Sequence, residues 1–201
     1  MTDFFILFNT GGFMMYPLLV ASLITVTIAV ERFSLYRRSG TNMALIKAHL
    51  PQLLMDGEYC QATALCEKAG GIVGGLLTNA IAHRRVVNNL SEFLSGESIA
   101  AASRLKDHLN YVSAIVTIAP LLGLLGTVTG MINSFDVLSI AEGQPFAITG
   151  GVAEALVATA FGLLVAIVAM MIHVWLSQVV NRLISNIEMG ASLCLTSIKE
   201  D

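Results

Sequence analysis

The sequence predicts an all-α integral membrane protein with three transmembrane helices, and composition and charge placement support this prediction. Hydrophobic residues make up 55% of the 201 residues, and charged residues only 12%. Asp, Glu, Lys and Arg are absent from residues 4–30 and 108–135, and Glu154 is the only one of these between Glu142 and Arg182. Each stretch exceeds the roughly 20 residues that a helix needs to cross a bilayer.

The predicted boundaries follow these apolar stretches. We place the first span at residues 12–30, the second at 111–137 and the third at 146–176. A helical insert, residues 31–110, separates the first two spans, and residues 177–201 form a tail. The chain is predicted to be a single membrane unit whose long helices extend into the cytoplasm.

Within the insert, apolar residues recur at helical spacing and predict several helices. The pair Gly70-Gly71 separates two short helices, and Pro51 is expected to bend or restart an earlier one. No strong breaker lies between Ser91 and Pro120, so one continuous helix is expected to run from the insert through the second span. The third span is expected to continue into the tail and pack against the insert.

The basic residues predict the orientation in the membrane. Nine of the 11 Lys and Arg residues lie between the first two spans, and the other two follow the third. By the positive-inside rule, the N-terminus is therefore outside, and the insert and the C-terminus are cytoplasmic. The short link SIAEGQP allows only a tight turn, so the second and third spans are expected to pack antiparallel.

Other classes of site are not indicated. Cys60, Cys66 and Cys194 fit no zinc or redox spacing, and we expect small buried residues at all three positions. The sequence shows no nucleotide-binding glycine loop, metal constellation or nucleophile–base pair, so it predicts neither an enzyme nor a cofactor. The basic residues suit anionic membrane lipid rather than nucleic acid.

Glu154 is the most informative residue. A charged residue at the centre of a membrane helix costs roughly 2.5–3.5 kcal/mol on insertion scales, and such residues commonly serve ion or proton movement. If the helix begins near Ala147, Glu154 lies about 10 Å inside it. A Glu that merely stabilises packing is the alternative. Because three helices cannot enclose an aqueous path, a transport role requires further copies or another protein.

The second span contains the motif APLLGLLGTVTGMINSF. A proline removes a helix hydrogen bond and kinks the helix, whereas small residues allow close helix approach. The residues predicted to pack helices or shape a pore are Pro120, Gly123, Gly126 and Gly130. Thr127 and Thr129 either bond a carbonyl of their own helix or line a wet path, where they bond water or a partner carboxylate. Thr159, in the third span, lies about 140° around the helix from Glu154, so a joint role of the two requires a neighbouring helix.

This motif, followed by a short loop and GGVAEALVATAFGLLVAI, resembles the signature of the ExbB/TolQ/MotA proton-channel family. The three-span layout with an outer N-terminus is similar to the ExbB and TolQ branch. Flagellar stator subunits have four spans and a larger cytoplasmic region, which argues against that branch. The run GLLGTVTGMI is closer in style to ExbB than to TolQ.

The resemblance implies a homopentamer in the bacterial inner membrane, with the second and third spans lining a central pore. Two copies of a single-span ExbD/TolR-like partner would occupy this pore. A TonB-like protein would receive the energy that proton flow releases. The family's intramembrane Glu matches Glu154, and its two polar residues near the ion path match Thr127 and Thr159. The partner's proton-binding Asp is not in this chain.

The function implied is a proton-channel and motor subunit that uses the proton-motive force to energise outer-membrane transport, as in TonB-dependent uptake. A TolQ-like role in envelope integrity and division is the alternative within the family. A structural membrane scaffold without ion flux is the alternative outside it. A further alternative is that Na⁺ rather than H⁺ drives the protein.

Overall fold

A computed structural model of the protein describes residues 11–84, 89–140 and 145–198, with the side chains of 137–140 and 145–148 left aside. Within these ranges the chain forms α-helices and no strands, so the predicted all-α class is confirmed. The helices are α1 Met15–Ser39, α2 Met43–Met55, α3 Tyr59–Ala69, α4 Gly71–His83, α5 Leu90–Lys106, α6 Leu109–Ile140 and α7 Pro145–Ser197. Three helical stretches are long and apolar enough to cross a membrane, with mean hydropathies of 1.8, 2.0 and 2.6.

The chain divides into two compact units. The first, here called the apolar unit, comprises the described residues of Met1–Val30 and His108–Trp175. The second, the insert unit, comprises those of Glu31–Asp107 and Leu176–Asp201.

Helices α6 and α7 of the apolar unit pack antiparallel, as predicted, and their backbones nearly touch. A methyl group on Gly162 of α7 would lie 2.7 Å from Ala119 O and 2.9 Å from Gly123 Cα of α6. Nearer the end of α6, a methyl group on Gly130 would lie 3.0 Å from Ala155 Cβ of α7. Only small residues permit this approach, which is the usual basis of helix association in lipid.

Helix α1 packs against both of these helices. Near its start, Leu18 is fully buried in a cluster with Ala119, Val165 and Ala166. Further along, Ile28 is buried with Val112 and Ala169. The order of these contacts makes α1 parallel to α7 and antiparallel to α6.

The prediction of one continuous helix from Ser91 through the second span is wrong. Asp107 ends α5 with a ψ of 144°, and His108 takes a left-handed φ of 67° before α6 begins. His is one of the residue types that adopt the left-handed region more readily than most, and Asp107 before it has an extended ψ. The pair therefore separates α5 from α6 without a glycine or a proline.

Side chains of α1 bond the exposed carbonyls at the end of α5. Arg32 Nη1 donates to Arg104 O at 3.0 Å, and Tyr36 Oη donates to Leu105 O at 2.9 Å. Burial raises the pKa of the Tyr36 phenol to about 12, so its hydroxyl keeps the proton that it donates. These bonds satisfy carbonyls that would otherwise lack a partner at a helix end.

In the insert unit, α3 ends at Gly70, which has a φ of 64°, as the Gly70-Gly71 pair predicted. Pro51 lies inside α2 and does not restart it. The predicted packing of the tail on the insert is confirmed, since a methyl group on Gly190 of α7 would lie 2.6 Å from Val73 Cγ1 of α4.

Two of the three cysteines are buried as predicted. Cys66 and Cys194 are inaccessible, and burial raises the pKa of their thiols to about 11 and about 12. The prediction is wrong for Cys60, which is exposed. The buried stripe of α3 consists of Ala62, Cys66 and Ala69, and Cys60 falls outside this helical spacing.

We therefore expect a maleimide to modify Cys60 alone in the folded protein at pH 7, because buried thiols with a raised pKa supply little thiolate. Mass spectrometry of the intact protein and its peptides measures the sites. Denaturation before labelling is the control and should expose all three thiols. Modification of Cys66 or Cys194 at the rate of Cys60 in the folded protein would contradict the packing of the insert unit.

Gly162→Ala should destabilise the protein by about 1–3 kcal/mol, because the added methyl group meets the backbone of α6 and neither helix yields easily. For a chain of this size, each kcal/mol lowers Tm by about 2–4 °C, measured by thermal unfolding in detergent. Gly150→Ala is the matched control, since its methyl group meets no atom within 4 Å. An unchanged Tm for Gly162→Ala would disprove the close approach of α6 and α7.

Candidate functional site

Glu154 lies on α7 within the apolar unit, and its carboxylate contacts the start of the first span. Its side chain is partly buried. The carboxylate occupies the space in which a side chain of Gly12 would begin, since a methyl group there would overlap Oε1 and lie 2.9 Å from Cδ. Glu154 therefore faces the backbone that leads into α1.

All three spans converge near this carboxylate. Gly126 of α6 faces Ala158 of α7, which is one turn beyond Glu154, and a methyl group on Gly126 would lie 2.6 Å from Ala158 Cβ. The same methyl group would lie 3.5 Å from Cβ of Met14, which precedes α1. The ionisable group thus stands beside a three-helix contact rather than on an isolated face.

Thr159 joins the two helices that carry the motif. Its Oγ1 donates to the carbonyl of Gly123 at 2.9 Å, across from α7 to α6. A methyl group on Gly123 would lie 3.1 Å from Thr159 Cα, so the missing side chain of Gly123 makes this bond possible. The structure gives Thr159 an interhelical hydrogen bond that its sequence position did not reveal.

Thr127 bonds its own helix, because its Oγ1 donates to Leu124 O at 2.6 Å. Its neighbour Thr129 likewise donates to Leu125 O and Gly126 O, both at 3.1 Å. Pro120 lies within α6, which is continuous through it. The hydroxyl groups of Thr127 and Thr129 are thus hydrogen-bonded within α6, as those of membrane Thr residues often are within their own helix.

The structure does not bring Glu154, Thr127 and Thr159 into one hydrogen-bonded group among the described residues. Glu154 and Thr159 lie about 140° apart around α7 at 100° per residue. Between these two directions lies the stripe of small residues that packs on α6. Any proton transfer that involves both residues therefore requires a route outside this one chain's helix contact.

Several residues of this contact were missed by the sequence reasoning. Gly12 lies against Glu154, and Gly151 packs on Ser134, whose Oγ is buried and donates to Gly130 O at 2.8 Å. The spacing of small residues on α7 was a usable signal, because it places them on one helix face. These residues are Gly151, Ala155, Ala158 and Gly162. Nothing in the sequence marked Gly12.

The chemistry available at this position is that of a carboxyl group in an apolar setting. It can hold and release a proton, and nearby hydroxyl and carbonyl oxygens can bond water or a partner group. Within the described residues, no group of three or more His, Cys, Asp or Glu side chains could hold a metal ion.

Comparison with known proteins identifies the family. The sequence profile of the MotA/TolQ/ExbB proton channel family matches residues 70–189, which is more than half of the chain. The chain belongs to this family. The match includes the three positions Glu154, Thr127 and Thr159, and the family is one of channels and transport proteins rather than enzymes.

Relatives within the MotA/TolQ/ExbB family differ in how much of their length is shared. A putative biopolymer transport protein ExbB-like 1 from Synechocystis sp. is 31% identical, over 82% of this chain and 67% of the relative. The biopolymer transport protein ExbB of Pseudomonas putida is 30% identical, over 79% of this chain and 51% of the relative. The Tol-Pal system protein TolQ of Haemophilus influenzae is 38% identical, over 39% of this chain and 35% of the relative.

Thr159→Val should lower the stability of this family member by about 0.5–1.5 kcal/mol, because it removes the hydrogen bond between α7 and α6. Thr159→Ser should retain most of the stability. Thr127→Val is the matched control, since it removes a bond within one helix only. Thermal unfolding in detergent measures all three, and a larger loss for Thr127→Val than for Thr159→Val would contradict the assignment.

Proposed function

We propose that this member of the MotA/TolQ/ExbB family is a proton-conducting motor subunit of the inner membrane, which energises outer-membrane transport. The position of Glu154 carries the proposal, since an ionisable group lies in an apolar span where three helices meet. Moving one proton through 100 mV releases about 2.3 kcal/mol, so a few protons supply the energy for a conformational step.

The proposed working assembly is a homo-oligomer, a pentamer by resemblance, around a single-span ExbD/TolR-like partner. In the single chain, large apolar side chains of α6 and α7 remain exposed, among them Leu124 at 57%, Phe135 at 64% and Leu156 at 63%. Apolar surface of this kind contacts lipid or further protein. Neighbouring copies and the partner would complete the proton path that the single chain lacks.

The proposed orientation places the N-terminus in the periplasm and the insert unit and C-terminus in the cytoplasm. The distribution of Lys and Arg supports it. The protons would then enter from the periplasmic side, pass Glu154 and an acidic side chain of the partner, and leave into the cytoplasm. Thr127 and Thr159 are proposed to border this path.

The TonB-dependent pathway is the proposed one, and the relatives that match most of the chain support it by their ExbB-like names. The Haemophilus influenzae relative supports a TolQ-like role over a shorter segment. Expression in bacteria that lack ExbB or TolQ discriminates these roles. Restored siderophore uptake favours the first, and restored resistance to detergent favours the second.

Glu154→Gln should abolish proton uptake by proteoliposomes that contain this protein and its single-span partner, because the amide cannot exchange a proton. A pH-sensitive dye inside the vesicles measures the uptake under an imposed potential. The same measurement with a Na⁺ gradient in place of the H⁺ gradient tests which of the two ions is transported. Glu188→Gln is the matched control, since Glu188 lies exposed on the same helix outside the apolar stretch. Normal uptake by a well-assembled Glu154→Gln protein would contradict the proposal and would favour the alternative of a structural membrane scaffold.

A further inference from the structure

We propose that Gly12 is a positioning residue for Glu154, and that the start of the first span thereby belongs to the proton site. This inference rests on the proposed role of Glu154 as the proton carrier. A methyl group on Gly12 would overlap Glu154 Oε1 and lie 2.9 Å from Cδ and 3.3 Å from Cγ. The three atoms nearest to it all belong to Glu154, so the space at Gly12 is matched to that one side chain.

The backbone at Gly12 is tied to the start of α1, which is itself anchored in the apolar unit. Gly12 accepts a hydrogen bond from Met15 N at 3.2 Å in the turn that opens α1. Met15 is 1% exposed and Leu18 is fully buried, so the beginning of α1 is anchored in the apolar unit. A side chain at Gly12 would therefore displace the carboxylate rather than the helix.

The backbone conformation adds a second requirement for glycine. Gly12 has a φ of 68°, a left-handed backbone region that residues with a Cβ adopt only at an energetic cost. The glycine thus serves two purposes, the turn into α1 and the space for the carboxylate. Only the second purpose depends on Glu154, and this difference makes the proposal testable.

The location suits a carboxylate for a further reason. The first N–H groups of a helix have no carbonyl partner within it, and the N-terminal end of a helix attracts negative charge. Gly12 leads into the first turn of α1, so contact with Gly12 holds the carboxylate near this end. The first span, together with α6 and α7, then determines the position of the Glu154 carboxylate.

The first test compares Gly12→Ala with two matched controls. Gly150→Ala adds a methyl group one turn before Glu154 with no atom within 4 Å, and Gly57→Ala adds one at a φ of 77° with equally open space. Proton uptake should fall about tenfold or more for Gly12→Ala, because misplacement of a reacting group is costly in rate. Both controls should retain wild-type uptake.

A hydrophobic carbodiimide, which modifies membrane carboxyl groups, reports on Glu154 directly and does not depend on proton transport. Gly12→Ala should be modified at Glu154 severalfold faster than the wild type, because its carboxyl group no longer lies against the turn. The controls should react at the wild-type rate. Wild-type labelling and uptake in Gly12→Ala would overturn the proposal.

A double-mutant cycle separates the two purposes of Gly12, even where Gly12→Ala alone fails to fold. In a Glu154→Ala background the carboxylate is gone, so Gly12→Ala should lower Tm less than it does in the wild-type background, and only the loss from the backbone turn should remain. An equal loss of Tm, or an equal failure to fold, in both backgrounds would show that only the backbone turn matters and would overturn the proposal. If Glu154→Gln transports protons normally, the proposed function fails, while labelling and this cycle still decide the contact.

Discussion

The close approach of α6 and α7 is the constraint on which the apolar unit depends. At Gly123 and Gly162, one added methyl group would meet backbone atoms of the opposite helix. In lipid the hydrophobic effect does not favour helix association, so van der Waals contact and interhelical hydrogen bonds must hold the pair together. The Thr159 bond to Gly123 O exists because no side chain separates the two backbones. This contact sets the register of α7 against α6 and hence the position of Glu154 along α6.

Glu154 stands at the edge of this contact and turns towards the start of α1. Its carboxylate is costly in the membrane. Among the residues that the structure describes, it forms no hydrogen-bonded relay with Thr127 and Thr159, which bond carbonyl oxygens of Leu124 and Gly123. Within the described residues the site is thus a carboxyl group positioned by helix contacts, and the proton path proposed for it needs groups beyond these contacts. The proposed assembly would supply such groups, and the exposed apolar faces of α6 and α7 offer surface that lipid or further protein can cover.

Sequence patterns predicted elements well where the cause was local. Long charge-free stretches predicted three apolar helices, and Gly70 ended α3 because glycine readily takes a positive φ. They failed at Asp107 and His108, where neither residue is a strong helix breaker. There the bonds from Arg32 and Tyr36 to the last carbonyls of α5 stabilise an end that α5 does not encode alone. The prediction that Cys60 is buried was wrong for a similar reason, because the hydrophobicity of one residue does not show which face of its helix other helices cover.

The sequence by itself determined the helical class, the number of apolar helices and the presence of one carboxyl group in the apolar stretch of the third, because charge and hydrophobicity act residue by residue. It also carried the family's motifs. The tertiary structure alone decided which small residues meet, that Thr159 reaches across to Gly123, and that Gly12 makes room for Glu154. These contacts join residues that are distant in the sequence, and their distances follow from how three helices pack, which no local pattern specifies.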